Sequence, residues 1–335
     1  MSGTSPPAGL ESLLRSKVPA GSYEALCSSV LPAIVDGIAA IAKSLRSSHQ
    51  VALAGSANAF GDDQLNVDVA AENIVRAAAA KCPAVVTASS EEEPVERSTR
   101  EGEDATAASA GEQYTFAFDP LDGSSIIAPN WSVGTIIGIW EGLSALHQAP
   151  ATRQVAAVLG VYGPRTTAII ALRVPGAEGV CIEVGVGEQG VQDCQVIRES
   201  VRLQASPPFK TRYFAPANLR AAAEDSKYAA LVNHYISNKY TLRYSGGLVP
   251  DVVHALVKSH GLYVSPVTAA SKAKLRRLYE LFPLALIVEC AGGKAVDPVD
   301  GSDILSKSSK DTDERGGLIC GTAEEVDFAA QSLLA

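Results

Sequence analysis

The chain of 335 residues is long enough for two domains, or for one large α/β domain with an elaboration. Hydrophobic residues make up 47% and charged residues 19% of it, which indicates a soluble globular protein with ample core material. The formal net charge of −9 argues against a nucleic acid or an anionic membrane as the main partner, so an anionic substrate would need local positive charge or metal ions.

Six cysteines are scattered without the spacing of zinc ligands or of a small disulfide framework, namely Cys27, Cys82, Cys181, Cys194, Cys290 and Cys320. Reduced thiols in a cytosol-like compartment are the simpler interpretation. We recognise no targeting segment over residues 1–18 and no uninterrupted apolar run near the ~20 residues of a membrane span. This predicts a cytoplasmic protein with no membrane contact, although removal of a plastid-targeting segment would leave the same sequence.

The first third of the chain predicts two helices and a strand. Apolar residues at helical spacing favour an amphipathic helix within residues 23–47, and a second helix is expected over 69–81. Asp62 and Asp63 precede the second helix, where aspartate is also a common helix cap. A strand follows and ends at Glu91–Glu93, a run that on its own is typical of a solvated face.

The most informative stretch begins with alternating aromatic and small residues from Tyr114. This period of two predicts a buried strand that delivers Asp119 to the rim of a sheet. A proline and a glycine then predict a turn, across which Asp119 and Asp122 can converge on one cation. A solvated acidic turn that caps a helix is the alternative for this motif alone. The residues that could hold a phosphate beside the cation are Gly123, Ser124 and Ser125.

The second half of the chain predicts a separate unit. A hairpin over 154–174 and further strands over 180–201 complete the first unit, and a proline-rich segment indicates a boundary near residue 205. Strands and helices alternate afterwards, which implies a second α/β layer system and domains 1–205 and 206–335. A long helix is predicted over 271–291, with Glu289 one turn before its end. An ordinary exposed glutamate is the alternative for Glu289.

Acidic residues recur at predicted element ends, and their joint placement is a stronger signal than any one of them. They are Asp62, Asp68, Glu91, Glu92, Asp119 and Asp122. Carboxylates within about 4 Å of one another would repel by roughly 4 kcal/mol per pair at an effective dielectric of 20, so cations are required. Oxygen ligands without His or Cys select Mg²⁺ or Mn²⁺ over zinc. A multi-metal carboxylate site beside a phosphate cradle indicates phosphate ester hydrolysis.

Four motifs together resemble the lithium-sensitive metal phosphatase superfamily, and within it the fructose-1,6-bisphosphatase and sedoheptulose-1,7-bisphosphatase family. They are G-D-D-Q-L-N-V-D at 61–68, S-E-E at 90–92, D-P-L-D-G-S-S at 119–125 and E-C-A-G-G at 289–293. The resemblance runs from about Ala25 to the end of the chain and implies an α/β fold, a layered α-β-α-β-α sandwich of two domains. It also implies a homodimer or a tetramer, because the family residue that matches Arg243 reaches into the neighbouring subunit.

The resemblance also implies roles for individual residues. The ligands of two or three Mg²⁺ ions, or Mn²⁺, would be Glu91, Asp119, Asp122, Glu289 and the Leu121 carbonyl. The residues that orient and deprotonate the attacking water would be Asp68 and Glu92, with Asp62 near an additional metal. The cleaved phosphate would be held by Gly123, Ser124 and Ser125. The sugar and its phosphates would contact Asn218, Arg243, Tyr244, Gly246, Lys274 and Arg276.

Within the family, the sequence resembles the branch that acts on a seven-carbon sugar, sedoheptulose, more than the branch that acts on the six-carbon fructose. Ile126 follows D-G-S-S where fructose bisphosphatases usually have Asn, and Val264 stands about where they place a substrate-contacting Tyr, although Tyr263 is adjacent. The resemblance thus implies Mg²⁺-dependent hydrolysis of the 1-phosphate of sedoheptulose 1,7-bisphosphate. A fructose-1,6-bisphosphatase, a dual-specificity enzyme and an inactive phosphosugar-binding scaffold are the alternatives.

Three departures from the family pattern bear on regulation and substrate. Val51 and Ser56 stand where plastid enzymes carry a redox-active cysteine pair, so we expect no thioredoxin control through that pair. Gln113 and Glu141 fall where AMP-inhibited fructose bisphosphatases use basic residues, and an acidic side chain there would repel AMP. Ala128 replaces a usual Asp, a change that the sequence does not explain.

Overall fold

The computed structural model describes residues 9–58, 61, 63–100 and 111–335. Their α-helices are α1 (Leu10–Arg15), α2 (Leu31–Ser47), α3 (Asn66–Ala80), α4 (Ser124–Ile127), α5 (Pro150–Arg153), α6 (Ser226–Ser237), α7 (Leu248–Lys258), α8 (Phe282–Cys290) and α9 (Ala323–Leu334). Two π-helical turns, Leu26–Val30 and Arg277–Leu281, lead into α2 and α8. Short 3₁₀ turns cover Leu219–Ala223 and Ile304–Ser306.

The strands are β1 (Leu53–Ala57), β2 (Asp63–Leu65), β3 (Val85–Ser90), β4 (Arg97–Ser98), β5 (Tyr114–Asp122), β6 (Val133–Glu141), β7 (Gln154–Tyr162), β8 (Thr166–Leu172), β9 (Val180–Gly187), β10 (Gly190–Arg198), β11 (Tyr213–Pro216), β12 (Thr241–Leu242), β13 (Leu262–Ser265), β14 (Leu275–Arg276), β15 (Lys294–Val296), β16 (Arg315–Gly316) and β17 (Leu318–Gly321).

Two mixed sheets form the framework. The large sheet has the order β10-β9-β8-β7-β6-β5-β3-β4, in which β3 and β5 run parallel and the other neighbours run antiparallel. The small sheet has the order β12-β11-β13-β17-β15, in which β11 runs parallel to both of its neighbours. The predicted boundary near residue 205 falls between the last strand of the large sheet and the first strand of the small one.

Three apolar cores separate the layers. The first lies between α1, α2 and α3 and one face of the large sheet. The second fills the space between the other face of that sheet, α7, α8 and the small sheet. The third packs α6 and α9 on the far face of the small sheet. Because every sheet face must bury its apolar residues against another element, this arrangement gives the predicted α-β-α-β-α sandwich.

The segment Leu26–Ser47, which joins a π-helical turn to α2, is long and apolar enough to cross a membrane by length and composition. Its core-facing side, including Ile34, Ile38 and Ile41, packs against the large sheet. Within the protein 61% of its most apolar window is buried. This packing explains the hydropathy of the segment as that of a core helix.

The helix predicted over 271–291 is shorter in the structure. Leu275 and Arg276 form β14, which pairs with β16, so the chain is extended there. Helical structure begins with the π-helical turn at Arg277, and Pro283 lies in the first turn of α8, where its missing N–H is tolerated. The expectation that this whole segment is one helix was therefore wrong, and the π-helical turn carries a residue of the site described next.

Candidate active site

Strand β5 delivers two aspartates to the edge of the second core. All nine residues of the strand are buried, and its pairing with β6 becomes irregular between Asp119 and Asp122. Gly123 follows with φ of 103°, a left-handed conformation that glycine adopts without strain. A Cβ at this position would lie 3.0 Å from a Val133 methyl carbon. Carboxylate oxygens of both aspartates lie within 4.8 Å of each other, in agreement with the convergence that the sequence predicted.

A third carboxylate joins them. Ligand oxygens of Asp119, Asp122 and Glu280 all lie within 4.8 Å of one another, and each side chain is nearly inaccessible to solvent. Burial raises the pKa of Asp119 and of Glu280 well above the ordinary value, and the nearby charge of Glu91 raises both further. Three buried carboxylates at this spacing repel one another unless protons or cations compensate them.

Backbone groups hold Asp122 in place. The N–H groups of Leu248 and Val249, at the start of α7, donate to its two carboxylate oxygens at 3.1 and 2.7 Å. Helix N-termini stabilise negative charge, and these bonds oppose the effect of burial. Burial nevertheless raises the pKa of Asp122 to about 6. The end of β5 and the start of α7 are thus fixed to each other through one carboxylate.

Arg276 and Glu91 complete the surroundings of the three carboxylates. The backbone N–H of Arg276 donates to Glu280, and its buried guanidinium forms an ion pair with Glu91. Its Nε also lies 3.7 Å from a carboxylate oxygen of Asp313. The predicted ligand Glu91 therefore lies beside the three converging carboxylates. Arg276, which the sequence predicted to bind substrate, lies between the carboxylates of Glu91, Glu280 and Asp313.

The predicted ligand Glu289 does not belong to this group. Its carboxylate accepts a hydrogen bond from Arg173 at 2.7 Å and lies beside Asp303. Burial, together with the charge of Asp303, raises the pKa of Glu289 to about 7. The structure corrects the sequence-based assignment, because Glu280 on the π-helical turn, not Glu289 near the end of α8, faces Asp119 and Asp122.

A sequence signal for Glu280 existed. It stands inside the apolar run L-Y-E-L-F-P, from Leu278 to Pro283. All residues of this run are buried, so no exposed side remains for a glutamate. An acidic residue in such a run must have a partner or a function, because an uncompensated buried charge is costly.

Asp68 and Glu92 form a second acidic pair. Asp68, in the first turn of α3, accepts hydrogen bonds from the Leu65 N–H at 3.0 Å and from the Ser124 hydroxyl at 3.4 Å. Burial raises the pKa of Asp68 to about 6, and the charge of Glu92 also acts to raise it. The Gln64 side-chain amide donates to Glu92 at 2.5 Å. Asp62, predicted to act with this pair, lies outside the described residues.

The proposed phosphate cradle follows Asp122 directly. Ser124 also contacts the Leu121 carbonyl oxygen at 3.4 Å, which places that predicted metal ligand beside the Asp68 side of the site. Ser125 is exposed in the short helix α4. The predicted cradle thus adjoins the buried Asp122 along the chain and contacts Asp68 of the acidic pair through Ser124.

Asp251 organises the segment predicted to bind the sugar. Its carboxylate accepts hydrogen bonds from the Ser245 N–H and hydroxyl at 2.7 and 2.8 Å, and from the Gly246 N–H at 3.2 Å. Burial raises the pKa of the neighbouring Tyr244, whose side chain remains 44% exposed. This loop continues into the N–H groups that hold Asp122.

Two further predicted substrate contacts, Asn218 and Arg243, lie at this loop, and a third is Lys274. Asn218 has φ of 51°, and among the described residues its buried Oδ1 has no hydrogen-bond partner. A hydrogen bond with the Asn218 backbone acts to lower the pKa of Tyr244, which connects these two residues. The exposed Arg243 guanidinium lies 5.7 Å from the Tyr213 ring centroid. Lys274 is exposed near Arg276.

A cavity of about 790 Å³ opens beside Arg243 and Tyr244. Its volume is within the usual range for small-molecule sites. Its described lining also includes Arg46, Trp131 and His254, but none of the three converging carboxylates. This cavity therefore lies beside the segment predicted to bind the sugar and not at the carboxylate group.

Both halves of the chain match one family. The fructose-1,6-bisphosphatase N-terminal domain matches residues 15–192, and the C-terminal domain of the same family matches residues 208–333. The chain therefore belongs to the fructose-1,6-bisphosphatase family. This is a family of metal-dependent enzymes, in agreement with the acidic group found here.

Named relatives include both branches of the family. A chloroplastic sedoheptulose-1,7-bisphosphatase of Spinacia oleracea is 38% identical over 80% of this chain and 64% of its own length. The Chlamydomonas reinhardtii counterpart is 40% identical over 72% of this chain and 59% of its own length. These alignments thus span less than two thirds of the chloroplastic proteins. A class 1 fructose-1,6-bisphosphatase of Syntrophotalea carbinolica is 34% identical over 86% of this chain and 83% of its own length.

Solved structures agree with the fold. A Toxoplasma gondii crystal structure, described as a candidate sedoheptulose-1,7 bisphosphatase, superposes with a TM-score of 0.85 at 33% identity. It covers 98% of this chain and 99% of the other. Fructose-1,6-bisphosphatase of Leishmania major superposes with a TM-score of 0.79 at 25% identity, over the same shares of the two chains.

Proposed function

We propose that this chain is a Mg²⁺-dependent phosphatase that hydrolyses the 1-phosphate of sedoheptulose 1,7-bisphosphate to give sedoheptulose 7-phosphate and phosphate. The observation that carries the proposal is the convergence of Asp119, Asp122 and Glu280 within 4.8 Å in a buried setting. This donor set contains only oxygen, which suits Mg²⁺ or Mn²⁺, and its mutual repulsion favours cation binding.

The metal ligands in this proposal are Asp119, Asp122, Glu280 and Glu91, with the Leu121 carbonyl, for two or three ions. When bound, Mg²⁺ lowers the pKa of a water ligand and screens the charge of the phosphate. Arg276 keeps Glu91 beside the group through their ion pair. Glu280 takes the place that the sequence had given to Glu289.

The protein's own residues then bind the phosphate and accept the proton. The Ser124 and Ser125 hydroxyls and the backbone N–H groups after Gly123 would donate to the phosphate that is cleaved. Asp68 and Glu92 would orient the attacking water and accept its proton. The Ser124 hydroxyl donates a hydrogen bond to Asp68, so a residue of the proposed phosphate cradle contacts the proposed base directly. Asp62 would assist near an additional metal.

The sugar and the distal phosphate would lie toward the loop that begins at Arg243. The residues proposed to contact them are Asn218, Arg243, Tyr244, Gly246, Lys274 and Arg276. The unsatisfied Asn218 Oδ1 and the half-exposed Tyr244 can each take part in a hydrogen bond with a sugar hydroxyl. Lys274 and Arg243 supply the positive charge that an overall acidic protein needs for a bisphosphate.

The seven-carbon substrate is favoured by the sequence and by the relatives. Ile126, after the D-G-S-S motif, has its side chain close to Gly246 and Gly247 of the sugar-binding loop. The chloroplastic relatives at 38% to 40% identity are named sedoheptulose-1,7-bisphosphatases. Relatives named class 1 fructose-1,6-bisphosphatases align over more of their own length, so fructose 1,6-bisphosphate is the second candidate substrate.

The assembly and compartment belong to the same proposal. We propose a homodimer, or a tetramer built from it, because the exposed Arg243 suits a residue shared between subunits. All six cysteines are free thiols and five of them are buried. Free thiols are compatible with a reducing, cytoplasmic setting.

Phosphate release from both bisphosphates in Mg²⁺ tests the proposal. We expect a larger kcat/KM for the seven-carbon substrate, by about tenfold or more, and ³¹P spectra that retain the 7-phosphate. A larger kcat/KM for fructose 1,6-bisphosphate would replace the substrate in this proposal. Protein that binds a bisphosphate but releases no phosphate would support the inactive scaffold.

A further inference from the structure

The turn that carries Glu91 and Glu92 is closed by its own flanking residues. The Ser90 N–H donates to the Glu93 carbonyl at 3.1 Å, and the Glu93 N–H donates to the Ser90 hydroxyl oxygen at 2.9 Å. Ser90 is fully buried at the end of β3. The Glu91 N–H donates to the Phe118 carbonyl at 3.0 Å, which fixes the turn to β5 one residue before Asp119.

Two charged residues of α3 hold this turn from behind. The Ser90 hydroxyl donates to Glu72 Oε1 at 2.8 Å, and Arg76 Nε donates to the same oxygen at 2.5 Å. Arg76 Nη2 also lies 3.3 Å from a Glu93 carboxylate oxygen. One ion pair, Glu72 with Arg76, therefore contacts both ends of the turn.

Arg76 also contacts the strand that carries the aspartates. Its guanidinium carbon lies 5.7 Å from the Phe118 ring centroid. A cation at this distance from an aromatic ring is attracted to it. The ion pair thus spans α3, the turn after β3 and the end of β5, which are the three elements that supply Asp68, Glu91 with Glu92, and Asp119.

The turn has functional residues on both sides. Glu91 forms the ion pair with Arg276, and its charge acts on Asp119 and Glu280. Glu92 acts on Asp68 instead. A rotation of this turn would therefore change the positions of a proposed metal ligand and of a proposed base together.

We propose that Glu72 and Arg76 are positioning residues, which hold the Ser90–Glu93 turn so that Glu91 faces the three carboxylates while Glu92 faces Asp68. This inference rests on the proposed metal-dependent function. Burying this ion pair costs desolvation free energy, which a turn with only a structural role would not require. Glu72 is only 8% exposed, and among the described residues its Oε2 has no hydrogen-bond partner. Neither residue touches the three converging carboxylates, so both act through the turn.

The test compares metal affinity with stability in four purified variants. Glu72→Gln keeps an oxygen acceptor for Ser90 but removes the ion pair, and Arg76→Ala removes the link to Glu93. Arg97→Ala removes the same charge and another partner of Glu93, but Arg97 is exposed. Val75→Ala removes buried packing from the same helix but, being a change between apolar side chains, removes no hydrogen bond or ion pair of the turn.

Mn²⁺ binding by calorimetry supplies a readout that does not depend on turnover. We expect Glu72→Gln and Arg76→Ala to weaken Mn²⁺ binding by about 10-fold or more, the size known for residues that orient ligands. The Mg²⁺ concentration for half-maximal activity should rise by the same factor, with KM for the bisphosphate unchanged. Arg97→Ala and Val75→Ala should bind Mn²⁺ as the wild type does, although Val75→Ala melts at a lower temperature.

Two results would overturn the positioning role alone. One is Mn²⁺ affinity equal to that of the wild type in both Glu72→Gln and Arg76→Ala. The other is an equal loss of Mn²⁺ affinity in Val75→Ala, in a comparison of variants that have the same melting temperature. A wild-type protein that neither binds Mn²⁺ nor releases phosphate would overturn the proposed function, and this inference with it.

Discussion

Glu280 and Asp119 bring carboxylate oxygens to within 4.8 Å of each other from two different elements, the π-helical turn Arg277–Leu281 and β5. Asp119 is fixed by the hydrogen-bonded strands of the large sheet, and Glu280 by a π-helical turn in a completely buried run. Asp122 meets both. Because buried, hydrogen-bonded elements carry all three, we expect the group to form before any cation binds.

Asp122→Asn should reduce turnover of the bisphosphate by more than about 100-fold, because it removes a ligand charge from the metal site. The amide should leave the fold intact, since it relieves repulsion with its two neighbours and retains one acceptor for the α7 N–H groups. Steady-state rates and circular dichroism of the purified variant provide the measurement. Near-normal turnover would refute the ligand role of Asp122.

Mg²⁺ should raise the melting temperature of the wild-type protein. A ligand that binds only the folded state stabilises it by about 2.7 kcal/mol at 100 times its Kd. Differential scanning calorimetry in EDTA and at increasing Mg²⁺ measures this effect, and Asp122→Asn serves as the control that should lose most of it. An unchanged melting curve at saturating Mg²⁺ would argue against a preformed carboxylate group.

The metal-free protein should lose stability as pH rises between about 4 and 6. The pKa of Asp122 is about 6 in the folded state against 3.8 ordinarily, so in this window the folded chain keeps a proton that the unfolded chain has lost. The contribution of Asp122 to the free energy of unfolding should fall by on the order of 3 kcal/mol between about pH 4 and pH 6. Urea unfolding in EDTA at several pH values measures the change.

Asp122→Asn provides the control for this pH effect. Its stability relative to the wild type should increase as pH rises from 4 to 7, because only the wild type must ionise a buried carboxyl at this position. Saturating Mg²⁺ should suppress the difference. Parallel stability curves for the two proteins in EDTA would contradict the assignment of a raised pKa to Asp122.

AMP should not inhibit the enzyme. The Glu112 carboxylate accepts hydrogen bonds from the Leu26 N–H at 3.1 Å and from the Tyr114 hydroxyl at 2.7 Å, and Glu141 lies 3.0 Å from Arg153. These acidic groups, near the position where the family's AMP-inhibited members use basic residues, would repel a nucleotide phosphate. Initial rates with and without millimolar AMP measure this, and clear inhibition would show that another cationic site binds the nucleotide.

The sequence predicted the fold well where periodicity and turn residues act locally. The strand that begins at Tyr114 lies where alternation placed it, and the hairpin after Gln154 lies where two β-rich runs around a turn placed it. Alternation and β-rich runs bounded by turn residues both depend on neighbouring residues in the chain, so neither needs knowledge of distant residues. The layered sandwich was predicted from family motifs as well as from alternating elements.

The site was predicted less completely because long-range packing decides which acidic residues meet. Asp119 and Asp122 were found from one local turn, but Glu280 and Glu289 stand on one continuous apolar segment. A regular helix over 271–291 was a poor guide there, because pairing between β14 and β16 keeps its first part extended. Tertiary contacts thus place Glu280 beside Asp119 and Asp122, a position that helical periodicity could not predict.

A comparison of Glu280→Gln with Glu289→Gln, two substitutions of the same kind nine positions apart, tests the proposed metal site most directly. Phosphate release and Mn²⁺ binding are measured for both. We expect Glu280→Gln to lose turnover by more than about 100-fold and to weaken Mn²⁺ binding, because it removes a buried carboxylate from the converging group. Glu289→Gln should retain both properties, since it alters only the contacts with Arg173 and Asp303. The reverse pattern, or equal activity in both variants, would contradict the assigned site.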